Sequence, residues 1–151
     1  VRREVVAIGA DHAGVRTKDA LARWLRASGR KVIDAGTHGA DSVDYPDLAA
    51  RVARAVARGR AHRGVLVCGT GIGMAIAANK VRRVRAAVVW SRETARLAAE
   101  HNAANVLCLS GRLFPTARLK TFLRTWLTTP FGGGRHGRRV RKIAALERGA
   151  A

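Results

Sequence analysis

The chain has 151 residues, with 29 Lys+Arg against 10 Asp+Glu for a net charge of +19. That length fits one domain over residues 1–151 and can bury a sizeable core, and an apolar content of 48% excludes a disordered polar chain. No run of about 18 apolar residues is present to span a membrane, and two cysteines, Cys68 and Cys108, are too few for a secreted disulfide scaffold.

Taken in chain order, Val5-Val6-Ala7-Ile8 reads as a short buried strand ending in Gly9. It begins at once, without signal-peptide architecture, so a cytoplasmic location is expected. Residues 14–28 read as a helix with Leu21, Trp24 and Leu25 on one face. Lys31 to Asp34 is a second strand, and Asp44 to Arg58 a helix with Leu48, Val52 and Val56 at helical spacing and Pro46 in its first turn. The apolar strand Gly64 to Cys68 runs into Gly69-Thr70-Gly71-Ile72-Gly73 and then a helix over Met74 to Asn79. A strand over 85–89, a helix over 92–100 and a strand over 105–109 follow. Leu119, Phe122, Leu123 and Trp126 mark a helix that Pro130 and three glycines stop, and a basic helix over about 137–148 closes the chain with Val140, Ile143 and Ala144 on its apolar side.

Five apolar strands alternating with helices predict an α/β fold, a three-layer doubly wound, Rossmann-like five-stranded parallel sheet with a C-terminal basic helix. Such sheets bind ligands beyond the carboxyl ends of their strands, near a switch in strand order. The polar residues that follow those ends are Asp11 and His12, then Cys68 and Thr70, then Ser110 and Arg112.

The loop 69–73 joins a buried strand to a helix, so its backbone N–H groups can converge on an anion. It is not a dinucleotide fingerprint, because Met74 and Ile76 fall where a small residue is needed and Val88-Val89-Trp90 offers no carboxylate. Nor does it have the Gly-Lys-Ser/Thr of a P-loop. A tight turn with no ligand is the structural alternative. Cys68, immediately before the loop, is placed where helix N–H groups favour a thiolate able to act as base or nucleophile; a buried structural cysteine is the other reading. Cys108, between Leu107 and Leu109, is assigned no chemistry.

Asp11-His12 can orient or protonate a substrate oxygen, or can be a helix-capping Asp beside a solvated His. His101-Asn102 ends a helix, where the dipole alone favours a His. Arg135 and Arg139 lie four apart on the last helix, a pairing that suits a phosphate but also a solvated basic face. The spacing of Cys and His matches no metal site, and no Gly-x-Ser-x-Gly elbow occurs. Of the 29 basic residues, 24 are Arg, and they are spread along the chain. That distribution points to overall composition, with attraction of small anions, rather than to a nucleic-acid surface.

Taken together, the segments resemble the type B ribose-5-phosphate isomerases and the related galactose-6-phosphate isomerase subunits. The resemblance rests on Gly9-Ala10-Asp11-His12-Ala13-Gly14, Asp44-Tyr45-Pro46, Cys68-Gly69-Thr70-Gly71-Ile72-Gly73, Ala77-Ala78-Asn79-Lys80, His101-Asn102, Asn105-Val106-Leu107, Gly111-Arg112 and Gly133-Gly134-Arg135-His136-x-x-Arg139-Val140, in order over residues 5–143. It implies an aldose–ketose isomerase acting on a phosphorylated sugar through an enediolate, with no metal and no organic cofactor. By the same resemblance Cys68 is the base at C2, Thr70 assists at the sugar oxygens, and His101 with Asp11 opens the ring. The N–H groups around Gly69, Gly71 and Gly73 face the enediolate, Asn102 and Tyr45 contact hydroxyls, and His12, Arg112, Arg135 and Arg139 hold the phosphate. The family's sites are assembled between two copies, so a homodimer is implied, with a tetramer as the larger alternative.

Two departures bear on the substrate. Val15-Arg16-Thr17-Lys18 stands where the family has an aromatic residue before Leu-Lys, and Ala103 where an acidic residue commonly follows His-Asn. Ribose 5-phosphate is the expected substrate. Galactose 6-phosphate, allose 6-phosphate or a tetrose phosphate is the near alternative, and a non-catalytic phosphosugar or nucleic-acid binding module the distant one.

Overall fold

Alternation along each central strand sorts the apolar residues onto two faces, and the computed structural model, whose described residues are 2–149, shows both faces covered. The elements run β1 (Val5–Ala10), a 3-10 turn (His12–Gly14), α1 (Val15–Ala27), β2 (Lys31–Asp34), α2 (Tyr45–Ala57), β3 (Arg63–Cys68), α3 (Ile72–Ala78), β4 (Ala86–Val88), α4 (Arg92–Asn102), β5 (Val106–Ser110), α5 (Thr116–Thr128) and α6 (Arg135–Glu147). The five strands form one parallel sheet in the order β2-β1-β3-β5-β4. The expected Rossmann-like architecture is present.

Val6, Ile8, Val65, Val67, Leu107 and Leu109 point to the face covered by α1, α4 and α5. Ala7, Leu66, Cys68, Val106 and Cys108 point to the face covered by α2 and α3. Each fully buried large aliphatic side chain gains about 2 kcal/mol of transfer free energy. A one-residue slip would exchange the two sets, so the register is fixed. Glycine sets the spacing of one layer: a Cβ at Gly64 would meet Val52 Cγ1 at 2.6 Å, and one at Gly9 would meet Val52 Cγ2 at 3.0 Å. α2 therefore lies close against β1 and β3.

Several boundaries differ from the sequence reading. β2 is an edge strand and alternates between exposed and half-buried residues, so it is not apolar on both faces. β4, on the other edge, shortens to three residues because the Arg85 N–H goes to the Asn105 side chain at 2.7 Å. α3 starts two residues early, at Ile72, since Gly71 takes φ 84° and turns the chain at that point. α6 starts at Arg135 and has no buried residue, so Val140, Ile143 and Ala144 give it only a half-covered face.

A buried charge ties the first half together. Lys18 on α1 is fully buried, and its Nζ donates to both Asp34 carboxylate oxygens at 2.8 Å and lies 3.0 Å from Asp19. Asp34 also accepts the Gly36 N–H at 2.9 Å. Burial acts to raise the Asp34 carboxyl, but the Lys18 hydrogen bond and charge, the Gly36 N–H and nearby His38 outweigh it and hold the group below the usual carboxylate range. This pair anchors α1 to the end of β2, where the loop leading to α2 begins.

The winding places the carboxyl end of β3 between two divergences. α1 follows β1 onto one face, α3 follows β3 onto the other, and α5 follows β5 back to the first. Crevices open where successive connections part in this way, and Cys68 stands between two of them.

Candidate active site

At the carboxyl end of β3, Cys68 is almost buried, and its Sγ accepts the Gly71 N–H at 3.1 Å, which fixes the direction of the sulfur. Thr70 caps the next turn, its Oγ1 accepting the Ile72 N–H at 3.2 Å, and is exposed beside the thiol. Ser110, at the end of β5 and buried, donates to the Gly69 carbonyl at 2.6 Å and accepts the Leu113 N–H at 3.0 Å. The Gly111 and Arg112 N–H groups bond the Cys68 and Gly69 carbonyls at 2.9 and 3.2 Å. The loop after β3 is thus locked to the loop after β5.

The three glycines do three separate jobs. At Gly71 φ is 84°, and an added Cβ would come within 3.3 Å of the Cys108 and Leu109 backbone. At Gly69 an added Cβ would lie 2.9 Å from Arg112 Nη2, so the missing side chain makes room for that guanidinium. At Gly73 it would lie 2.5 Å from Tyr45 Cε1, so the Tyr45 ring rests directly on the helix start. From the sequence alone these glycines are turn formers and N–H donors. Two of them also seat the side chains beside the thiol.

After β1, the Asp11 N–H bonds the Val67 carbonyl at 3.3 Å, which brings the two strand ends together. The Asp11 carboxylate accepts the Ala13 and Gly14 N–H groups at 3.1 Å each, so it caps the 3-10 turn. His12 is exposed, and its Nδ1 accepts the Val43 N–H at 3.3 Å, joining this end to the loop before Tyr45. Cys68, Thr70, Asp11, His12, Tyr45 and Arg112 therefore gather at one end of the sheet.

The other expected residues lie at the opposite end. α4 runs back along the sheet, so His101 and Asn102 finish at the amino end of β5. The Glu100 carbonyl accepts the Gly132 N–H at 2.9 Å, docking the glycine-rich loop there, and the His136 ring stacks on His101 with centroids 4.1 Å apart and 13° between planes. Desolvation, followed by the His101, Arg135 and Arg139 charges, holds the His136 imidazole below its ordinary range. Arg135 and Arg139 are exposed on the same stretch of α6. The Arg85 guanidinium secures this corner, with Nε 3.1 Å from both the Asn102 and Ala103 carbonyls and Nη2 2.9 Å from Ala103. Ala103 itself closes α4 at φ 45°.

Five residues of β5 separate the two ends, about 13 Å at 3.3 Å per residue. One chain therefore cannot bring His101 or Asn102 to Cys68, nor pair His101 with Asp11. The sequence reading missed the His101–His136 stack, though His136 stood inside the Arg-His-x-x-Arg motif, and it missed the support given by Arg85, Ser110 and Lys18. Among the described residues no three His, Cys, Asp or Glu side chains come together as a metal-ligand set.

Comparison with known proteins gives a consistent set of likenesses. A family model described as Ribose/Galactose Isomerase matches residues 6–143. Ribose-5-phosphate isomerase B of Escherichia coli is 41% identical over 142 residues, covering 94% of this chain and 95% of the relative. A solved ribose-5-phosphate isomerase B from Clostridium thermocellum is 46% identical and superposes with a TM-score of 0.95 over 97% of this chain and 99% of that one. The Mycoplasma genitalium enzyme, solved with bound ribulose 5-phosphate, is 40% identical with a TM-score of 0.93, covering 95% of this chain and 96% of its own.

Proposed function

The chain belongs to the ribose/galactose isomerase family, and from that premise we propose that it interconverts ribose 5-phosphate and ribulose 5-phosphate through an enediolate, with Cys68 as the base. The observation that carries this reading is the Cys68 thiol held by the Gly71 N–H at the start of a glycine loop whose Gly69 and Gly73 lie against Arg112 and Tyr45. In the open-chain aldose, the Cys68 thiolate takes the C2 proton. The C–H electron pair becomes the C1–C2 double bond as the carbonyl pair moves onto O1. Thr70 helps carry the O2 proton to O1, and the Cys68 thiol then returns its proton to C1, leaving the carbonyl at C2. The Gly71 and Ile72 N–H groups already donate to Cys68 Sγ and Thr70 Oγ1, so the N–H groups of Gly69, Thr70 and Gly73 would face the developing oxyanion, where fixed donors act without reorganising.

The separation of the two residue groups supports a site completed by a second copy. His101 and Asn102 of one protomer would meet Cys68 of its partner, His101 working with the partner's ring-opening end at Asp11. Arg135 and Arg139 would then face His12 and Arg112 across the substrate phosphate. Complementary apolar surfaces favour this pairing. Ile72 and Ile76 are 55% and 59% exposed on α3 beside the thiol, and an apolar groove runs along β4 past Asn102, walled by Ala86, Ala87, Ile143 and Leu146. A two-fold arrangement uses both patches twice.

Anchoring the phosphate far from C2 orients the carbon acid towards the sulfur. Arg135→Ala and Arg139→Ala are each expected to raise KM about tenfold with a smaller change in kcat, the loss of one charge-assisted contact. Steady-state kinetics on both variants check this, and an unchanged KM in both removes the phosphate role. The substrate is tested by comparing ribose 5-phosphate with allose 6-phosphate and galactose 6-phosphate in the presence of a chelator. The highest kcat/KM is expected on the five-carbon sugar. A six-carbon preference reassigns the substrate, and loss of turnover in chelator overturns the metal-free mechanism.

A further inference from the structure

Next to the apolar groove at Asn102, on the far side of Arg85 and Glu147, a cleft of about 640 Å³ opens between the end of α2, the 79–85 turn and the end of α6. Arg54 reaches it from α2 and Arg58 from just past its end, Arg82 and Arg83 from the turn, and Arg148 from just past the end of α6. All five are exposed, and among the described residues none pairs with a carboxylate through its side chain. The one acid in the wall, Glu147, is occupied by the Arg83 backbone N–H at 3.1 Å to each oxygen. Arg85 also lines the cleft, but its Nε and one Nη2 hydrogen point away to the Asn102 and Ala103 carbonyls, which leaves five guanidinium groups free of such anchoring. Ala57, Val81 and Ala144 supply an apolar floor, with Ile143 at the border shared with the groove beside Asn102.

We propose that this cleft is a binding site for a small anion carrying a polyphosphate chain. Five guanidinium groups from three elements repel one another across a confined space with one carboxylate to offset them. A ligand with several adjacent negative charges relieves that repulsion and meets planar donors suited to phosphate oxygens. Helix dipoles favour cations at the ends of α2 and α6, but they do not explain Arg82 and Arg83, which lie on no helix. A single phosphate would engage only part of the set. The apolar floor leaves room for an organic body, so an inorganic polyphosphate and a nucleoside triphosphate share the recognised chemistry.

The test is calorimetric titration of the full chain with tripolyphosphate and, separately, with ATP at about 0.1 M salt. The double variant Arg58→Ser/Arg82→Ser empties part of the cleft. Arg23→Ser/Arg26→Ser, on α1, removes the same charge elsewhere. The cleft variant is expected to weaken binding at least tenfold, and the α1 variant less than twofold. Tighter binding of ATP identifies the nucleotide as the better ligand, and tighter binding of tripolyphosphate the inorganic chain. No binding to the wild type, equal weakening in both variants, or displacement of tripolyphosphate by ribose 5-phosphate overturns the proposal. None of these substitutions touches a residue of the isomerase site, so failure here leaves the isomerase reading standing.

Discussion

Cys68→Ala is expected to lower kcat on ribose 5-phosphate by about 10³-fold or more, with KM near the wild-type value. Removing the sulfur deletes the group assigned to take the C2 proton, and no carboxylate stands in the loop to replace it: Gly73, Met74 and Ala75 follow directly. The fold has little to lose, because the side chain is small and sits at the rim of the core. The main structural cost is the Gly71 N–H, which now donates to the sulfur and would be left without that partner, about 1 kcal/mol. Cys68→Ser keeps an acceptor for that N–H and is expected to restore the stability without the activity. Paired measurements of kcat and Tm separate this account from a packing role for the thiol, under which activity would survive and only stability would fall.

The second large effect falls on stability. Asp34→Ala is expected to destabilise the fold by about 3 kcal/mol, within the range for stripping one partner from a buried ion pair. It leaves the fully buried Lys18 ammonium with Asp19 alone, itself nearly half exposed. Lys18→Met is expected to cost less. Asp34 keeps the Gly36 N–H and some contact with water, and methionine fills the space of the lysine stem. The pH dependence follows from the lowered Asp34 carboxyl. A carboxyl held lower in the folded state than in the unfolded chain adds stability above the unfolded value, near pH 4, and loses it as pH falls through the folded value. The gap between wild type and Asp34→Ala should therefore be full at neutral pH and close below about pH 4. Denaturant titrations at several pH values measure it. A gap that stays constant into acid assigns the loss to packing instead of charge.

Much of this molecule is legible in its residues because the two periodicities differ so plainly. Continuous apolar runs such as Val65-Leu66-Val67 mark buried parallel strands, and Leu48, Val52 and Val56 mark a helix face. The edges were harder to read, since β2 and β4 lack a neighbour on one side and their alternation is a matter of pairing, not composition. Among the candidate residues, the sequence singles out the thiol, the loop and the paired arginines, yet it does not show that Gly69 and Gly73 are small for the sake of Arg112 and Tyr45. Those contacts join residues 43 and 28 positions apart, and local spacing carries no trace of them. Lys18 was equally hidden, because a lysine in a helix normally faces water and only Asp34 at the end of β2 explains its burial.

The separation of the two residue groups makes the strongest demand on the account, since activity then belongs to a pair of chains. The direct measurement mixes two inactive variants, Cys68→Ala and His101→Ala, unfolds and refolds them together, and assays ribose 5-phosphate isomerisation. Random pairing makes half of the dimers hybrids, each with one site free of both substitutions, so recovery to about a quarter of wild-type activity is expected. Activity no greater than that of the separate variants would contradict a site shared between two copies.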